Sequence, residues 1–225
     1  YLVDDFYKGS LSVPYSVAVG IGPRSAERLG VSLPGADEII INDWLAADSL
    51  KGGLAVAVGD EIGITFFAAK SSREFIVMGD GKTPGGDIDV DDRQVFRVTG
   101  IIHQGVPALA EGWVPEFPGL DTAQTLATWE SGLPIETGRI RDSDELFWDR
   151  YKATPKAFIS IKQAQKLWGN RFGRVSGIHL GEKVNDESAL VERLRNELHL
   201  EDIGIGVRGL ADENRLAVEG ALDFG

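Results

Sequence analysis

Short apolar runs that lead directly into helix-start signals are the feature that most constrains the fold of this chain. Residues 38–41 read Glu-Ile-Ile-Ile, a β-branched run typical of a buried strand. Asn42 or Asp43 can then end the strand and cap a short helix through residues 44–46. The same order returns where a predicted strand at residues 157–161 precedes a short predicted helix at residues 163–168. Such units predict helices packed against a sheet.

The other periodic segments predict further strands in the first half of the chain and alternating strands and helices in the second half. Residues 60–67 and 74–78 flank a polar turn and predict a β-hairpin. Residues 93–102 alternate in polarity and predict another strand. The second half predicts a helix at 143–152, a strand at 175–180, a helix capped by Asn185 or Asp186 that carries Leu190, Leu194 and Leu198, and a strand at 203–207. The predicted class is α+β, with a mixed-sheet α/β layer subdomain and a smaller β-rich subdomain.

Loop-forming composition indicates where the chain divides. Residues 79–92 are rich in Gly and Asp and predict an exposed loop. Residues 105–141 carry four prolines and predict an irregular junction, apart from a short helix near residues 123–129. We predict three parts: an irregular N-terminal segment at 1–35, a β-rich subdomain with Gly-, Asp- and Pro-rich loops at 36–135, and an α/β subdomain at 136–225.

Charge and composition exclude several classes of function. A net charge of −12 and a pI of about 4.7 argue against nucleic acid as a partner, because phosphate backbones require a basic surface. The chain has no cysteine, which excludes disulfides, thiolate zinc sites and cysteine nucleophiles. The same absence favours a bacterial extracytoplasmic location over the cytosol. No segment approaches the roughly 20 apolar residues of a membrane-spanning helix.

Three glycine-containing motifs fail as nucleotide sites. Residues 204–209 match the pattern G-x-G-x-x-G, but too few residues follow to supply the helix, strand and acidic residue of a dinucleotide site. In a second candidate, Gly20-Ile21-Gly22, Ser25 stands where the third glycine is required. Gly81-Lys82-Thr83 resembles the end of a phosphate-binding loop, but the required earlier glycine falls at Ile76 in a predicted strand. We therefore predict no cofactor.

Carboxylates and histidines are the remaining candidates for chemistry. Alternating carboxylates in one loop could hold a hard cation such as Ca²⁺; they belong to Asp87, Asp89, Asp91 and Asp92. A calcium loop needs Gly and Glu at its sixth and twelfth positions, where this chain has Asp92 and Val98. We interpret this segment as a solvated acidic loop and leave open whether it binds a cation. The histidines His103, His179 and His199 lie too far apart for a paired-histidine metal motif. We predict no catalytic, cofactor-binding or metal-binding residue.

Two blocks of sequence carry a resemblance to a known family. In the first, Asn42-Asp43-Trp44-Leu45-Ala46 leads to Val58-Gly59-Asp60-Glu61-Ile62 and on to residues 96–102. In the second, Pro155-Lys156-Ala157-Phe158-Ile159 leads to Leu167-Trp168-Gly169-Asn170-Arg171-Phe172-Gly173. With these blocks, the chain from about residue 36 onward resembles the MacB-like periplasmic core domain of FtsX-type ABC-transporter permeases. Residues 220–225 also resemble the approach to a membrane span in such permeases.

The resemblance implies a noncatalytic module on the extracytoplasmic side of the bacterial cell membrane, the periplasm, anchored there by the membrane spans of the full-length protein. It implies that residues 136–225 are membrane-proximal. The implied partners are the remainder of the permease and a separate cytoplasmic ATPase subunit, with a homodimer or an extracytoplasmic protein as further candidates. The module would couple ATP hydrolysis to the handling of a substrate or partner outside the membrane.

An alternative from another class is a secreted acidic glycoside hydrolase or a carbohydrate-binding module. It predicts a concave pocket with two carboxylates of raised pKa, or exposed coplanar tryptophans. We interpret the tryptophans instead as core or loop anchors; they are Trp113, Trp129, Trp148 and Trp168.

Overall fold

Seven β-strands join into one sheet in the computed structural model of the chain. The structure describes residues 1–69, 75–79, 94–105, 109, 113–114, 125–126, 133–169, 173–177 and 187–198. The chain divides into two compact units, Tyr1–His179 and Leu180–Gly225. The sheet belongs to the first unit, and one described helix belongs to the second.

The strands and helices take up most of the described residues. The strands are β1 (Leu2–Lys8), β2 (Leu11–Ile21), β3 (Glu38–Asn42), β4 (Glu61–Ala69), β5 (Phe75–Met78), β6 (Gln94–Ile102) and β7 (Ala157–Ser160). The helices are α1 (Pro23–Arg28), α2 (Asp43–Ala46), α3 (Asp142–Tyr151), α4 (Ile161–Trp168) and α5 (Glu187–Glu197), and short 3₁₀ turns lie at Ser49–Lys51 and Thr137–Arg139.

Six of the strands close on themselves. Their order is β1-β2-β7-β3-β6-β4, and β4 pairs back with β1. The pairs β2–β7 and β3–β6 are parallel, and the remaining pairs are antiparallel. The fold is therefore α+β with a closed, barrel-like mixed sheet, which confirms the predicted class at this level. The predicted boundary at residue 135 stays a prediction, and β7 shares the sheet with β2 and β3.

The strands β5 and β6 lie end to end along one edge of β4. Ile64 of β4 stands opposite Gln94, and Phe66 stands opposite Met78. Between them Gly79 has a φ of +88°, and a Cβ there would come within 2.4 Å of the Ile64 carbonyl oxygen. Only glycine fits this conformation without strain. Gly79 and Gln94 therefore complete this edge of the barrel wall as neighbours.

Both faces of the central strands are buried. In β3, Ile39 and Ile41 pack into the main core cluster, whereas Ile40 packs into a second cluster against α1. In β7, Ile159 joins the main cluster and Phe158 the second. Strands covered on both faces have continuous apolar sequences rather than alternating ones. This burial explains the runs that the sequence analysis identified as strands.

The prediction of an irregular segment at residues 1–35 is wrong, because β1, β2 and α1 lie there. The strands were missed for local reasons. A two-residue turn at Gly9 and Ser10 joins β1 to β2, and Pro14 interrupts the strand pattern of β2. The next residue, Tyr15, takes a φ of +47°, which is unusual for a bulky side chain.

Most other predicted elements are confirmed within the described residues. Strands lie where they are predicted at 38–41, 60–67, 74–78, 93–102 and 157–161, and helices lie at 143–152 and 163–168. The predicted strand at 175–180 is wrong for residues 175–177, which are not in a strand. Other predicted segments lie outside the described residues. They are residues 178–180, the loop at 80–92, the helix near 123–129 except residues 125–126, and the strand at 203–207.

The helix α5 belongs to the second unit and is described by itself. It carries Leu190 and Leu194 as predicted, whereas Leu198 lies just after its last residue, and its surface pairs Arg193 with Glu197. Its predicted cap at Asn185 or Asp186 lies outside the described residues. Among the described helices, none has the length and apolar character needed to cross a lipid bilayer.

Candidate binding cleft

The carboxyl ends of the parallel strands β3 and β6 are fastened together by Asn42. The backbone N–H of Leu45 donates to Asn42 Oδ1 at 2.8 Å, so Asn42 caps α2 as predicted. The Asn42 side-chain amide donates to Gln104 Oε1 at 2.5 Å, just beyond β6. Both polar atoms of this buried side chain are therefore used inside the fold, as burial requires.

Asp43 makes a second link between the same two strand ends. Its Oδ2 pairs with Nδ1 of His103, and its Oδ1 accepts the backbone N–H of Gln104 at 2.9 Å. Each carboxylate oxygen thus has a partner on the segment that follows β6. His103 lies directly after β6, and the other described contact at this strand end is the one its Nδ1 makes with Asp43.

A cleft of about 430 Å³ lies beside these links. The α2 end contributes Trp44, and the face of α3 contributes Leu146 and Tyr151. Leu50 is 96% exposed at the cleft, and Leu146 is 46% exposed. The remaining lining residues are Asp43, Ala47, Lys51, His103, Gln104 and Ser143. The volume is that of an ordinary ligand or peptide site.

The 3₁₀ turn that presents Leu50 is held by hydrogen bonds. Leu50 N–H donates to Asp48 Oδ1 at 2.8 Å, and Arg141 from the α3 end donates to the Gly52 carbonyl oxygen at 3.1 Å. Gly53 packs so tightly that a Cβ there would lie 2.1 Å from the Ala47 carbonyl oxygen. The exposed leucine therefore stands on a fixed turn.

A buried lysine lies behind the aromatic side of the cleft. Trp44 meets Phe147 edge to face at 5.3 Å between ring centroids. On Phe147 lies the ammonium group of Lys156, 4.3 Å from the ring centroid, in a residue only 3% exposed. Burial lowers the pKa of Lys156 to about 8, with Asp144 opposing this shift and Arg141 adding to it. The folded protein therefore binds this proton less tightly than the unfolded chain.

Replacing Lys156 with methionine should stabilise the protein near neutral pH. The cost of the buried charge is present in full below pH 8 and is lost as the pH rises toward 10.5. From that shift, we expect K156M to raise the free energy of unfolding by about 3 kcal/mol at pH 7 and about 1 kcal/mol at pH 10. Urea unfolding at both pH values measures this. The exposed Lys162→Met variant is the control, and an equal gain at both pH values would contradict the assignment.

An ion cluster ties the segment before α3 to β1. Arg139 donates to Asp4 Oδ1 and to Asp5 Oδ2, both at 2.9 Å. Beside it, the hydroxyl of Tyr15 accepts the backbone N–H of Glu136 at 2.9 Å. Burial raises the pKa of Asp5 to about 6, although the charge of Arg139 opposes this. The cluster does not line the cleft.

The structure places few of the residues considered in the sequence analysis near the cleft. Several of them lie outside the described residues. They are the acidic loop of Asp87, Asp89, Asp91 and Asp92, the histidines His179 and His199, and the motifs at 81–83 and 204–209. Gly20-Ile21-Gly22 lies at the end of β2 and before α1. The prediction for the tryptophans is confirmed for Trp113, Trp148 and Trp168, which pack against core clusters, whereas Trp129 is not described.

No group of three or more potential metal ligands occurs among the residues that the structure describes. Neither a family model, nor a curated protein, nor a solved structure matches the chain.

Sequence reasoning missed several residues that shape the site. Lys156 gives no sequence signal, because a lysine before a strand is ordinarily exposed. Leu50 and Lys51 look like a plain turn between two loops. The only available signal was Gly52-Gly53, which marks a tight turn without indicating what the turn presents.

Proposed function

We propose that the chain is the noncatalytic extracytoplasmic domain of an FtsX-type ABC-transporter permease subunit. In this role it couples ATP hydrolysis by a cytoplasmic ATPase subunit to the handling of a substrate or partner outside the membrane. The proposal starts from the resemblance of the two sequence blocks. The proposal includes a mixed-sheet α/β layer with a smaller β-rich subdomain, a periplasmic location, and a membrane-proximal placement of residues 136–225.

One observation carries the proposal: the two blocks, distant in sequence, meet in the fold. Ile40 and Ile41 of β3, which lead directly into the first block, stand opposite Phe158 and Ala157 of the second. The Asn42 N–H, at the start of the first block, donates to the carbonyl oxygen of Lys156 in the second at 2.9 Å. Sequence blocks that resemble a family's are expected at such a junction when the junction specifies the family's fold.

The polar residues of the first block also support a noncatalytic role. Asn42 uses its side-chain oxygen and nitrogen, and Asp43 uses both carboxylate oxygens, in contacts within the fold. Residues committed in this way specify geometry, because a catalytic group needs a free atom that can reach a substrate. The chemistry of the proposed transporter resides in the ATPase subunit.

Cysteine accessibility in the full-length protein tests the location. In a full-length background without other cysteines, Leu33→Cys places one thiol at a side chain that is 42% exposed, since these 225 residues contain no cysteine themselves. We expect a membrane-impermeant maleimide to label it in intact spheroplasts as fully as in lysed ones. Ala18→Cys, at a buried position, is the control and should react only after denaturation. Labelling of Leu33→Cys that requires lysis would contradict the proposal.

The alternative of a secreted acidic glycoside hydrolase or carbohydrate-binding module finds no support in the described residues. Asp5 has a raised pKa, but its carboxylate pairs with Arg139 and does not line the cleft. Trp113, Trp148 and Trp168 pack against the core clusters, and Trp44 lines the cleft with its ring edge to face against Phe147. Turnover of glycoside, peptide or ester substrates by the purified chain at about 1 s⁻¹ or more would favour an enzyme instead.

A further inference from the structure

A small cavity lies beside the buried side chain of Lys156. Its volume is about 20 Å³, which is room for one water molecule or one small ion. The walls are mainly apolar: α3 contributes Phe147 and Trp148, and β2 contributes Tyr15 and Val17. The cavity is separate from the larger cleft, since the two share no lining residue.

The backbone of Lys156 is fixed, so its side chain stays in the cavity wall. The Lys156 N–H donates to the Val17 carbonyl oxygen of β2, and the Lys156 carbonyl oxygen accepts the Asn42 N–H of β3, both at 2.9 Å. The residue is only 3% exposed, and its ammonium group lies over the Phe147 ring. Among the described residues, this ammonium group has no hydrogen bond or ion pair. A buried cation without a polar partner therefore lines the cavity.

The carboxylate that acts on this cation is already neutralised. Asp144 is the described carboxylate whose charge opposes the pKa shift of Lys156. It is 2% exposed, and Arg141 donates to its two oxygens at 2.7 and 2.8 Å. Glu145, on the same helix, accepts the Leu126 N–H at 3.0 Å and does not line the cavity. The charge of Lys156 is therefore left without compensation among the described residues.

The charged side chains that line the cavity are both cations. Lys152 lines it from the end of α3, and no described carboxylate does, although the chain as a whole carries −12. A buried charge is costly unless it is paired. Burial lowers the pKa of Lys156 only to about 8, so most molecules carry this charge at neutral pH. A water molecule would hydrate the ammonium group but leave its charge, whereas an anion would cancel it.

We propose that the cavity binds one monovalent anion of about the size of chloride against the ammonium group of Lys156. The ammonium group donates to the anion, and the small volume between β2 and α3 excludes larger anions. Bound there, the anion stabilises the packing of α3 against β2 and the start of β7. The inference does not depend on the proposed transporter role, because it concerns a site inside the fold of the chain.

Urea unfolding in matched sodium salts tests the site. Chloride fits the cavity and gluconate does not, whereas the sodium concentration and the ionic strength are the same. At pH 7, we expect about 0.2 M chloride to lower the unfolding equilibrium constant of the parent chain by about tenfold relative to gluconate, as a Kd of about 20 mM predicts.

Two variants assign the effect to the buried lysine. In K156M, the difference between the two salts should disappear, because the cation that holds the anion is gone. Lys162→Met removes an exposed lysine that does not line the cavity, and it should keep the parent's tenfold difference. Circular dichroism checks that both variants are folded. Equal stability of the parent in the two salts, or a chloride effect that persists in K156M, overturns the proposal in favour of a bound water molecule or a surface effect.

Anomalous diffraction from crystals soaked in sodium bromide locates the anion directly. Bromide is a heavier substitute for chloride, and we expect its peak inside the cavity, beside Lys156 Nζ, in the parent chain and no peak there in K156M. Bromide found only at the surface of the parent chain, with a water molecule or nothing beside Lys156 Nζ, overturns the proposal.

Discussion

Replacing Phe158 with alanine is expected to lower the free energy of unfolding by about 3–5 kcal/mol. Phe158 is fully buried in β7, between β2 and β3, and meets Trp113 edge to face at 5.4 Å. Removing the ring forfeits its burial and leaves a cavity in the second core cluster, which the barrel wall cannot close by moving. Urea unfolding with an unchanged m-value measures the loss.

The control for Phe158 is Val95→Ala, which truncates a side chain that is 42% exposed on β6. It should change the free energy of unfolding by less than about 1 kcal/mol, because surface truncations remove little buried area. A loss at Phe158 no larger than the loss at Val95 would mean that β7 does not occupy the centre of the sheet.

Replacing Arg139 with methionine should cost about 3 kcal/mol at pH 8, because the buried carboxylate of Asp4 and the partly buried one of Asp5 lose their shared guanidinium. The loss should shrink as the pH falls. In the parent chain, the pKa of Asp5 is about 6 in the folded state and 3.8 unfolded, so its protonation stabilises the fold as the pH drops through this window. Without Arg139 the carboxyl takes up its proton at a higher pH, and that uptake removes the unpaired charge.

Two comparisons isolate this effect. Arg97→Met breaks an exposed pair with Glu38 and should cost less than about 1 kcal/mol at any pH. Adding Asp5→Asn to Arg139→Met should recover part of the loss at pH 8, because one of the two unpaired charges is gone. A loss in Arg139→Met that is equal at pH 5 and pH 8 would show that Arg139 acts through packing alone.

Local signals predicted the elements whose causes are local. The run before Asn42 marks β3, and the Asn42 side chain caps α2 as its residue type suggests. The parallel pairing of β3 with β6 and the closure of β4 onto β1 depend on contacts between distant segments, and a single sequence does not contain that register. The sequence therefore predicted a mixed sheet but not its closure.

The cleft escaped sequence reasoning for the same reason. Leu50 and Leu146, which both line it, lie far apart in sequence, and the fold brings their segments together through the contact of Arg141 with Gly52. The ion cluster likewise joins Asp4 and Asp5 to Arg139, more than 130 residues away. Polar residues in β1 resemble loop composition until their distant partner is known.

Gly79 and Gln94 lie next to each other beside β4, so the chain tolerates a change of length between them. Because the backbone pairing of β4 is satisfied on either side of this junction, segments of different length can be inserted between the two residues at a small entropic cost. Evolution, or an engineer grafting a reporter or an epitope, could lengthen or shorten the chain there without re-registering any strand.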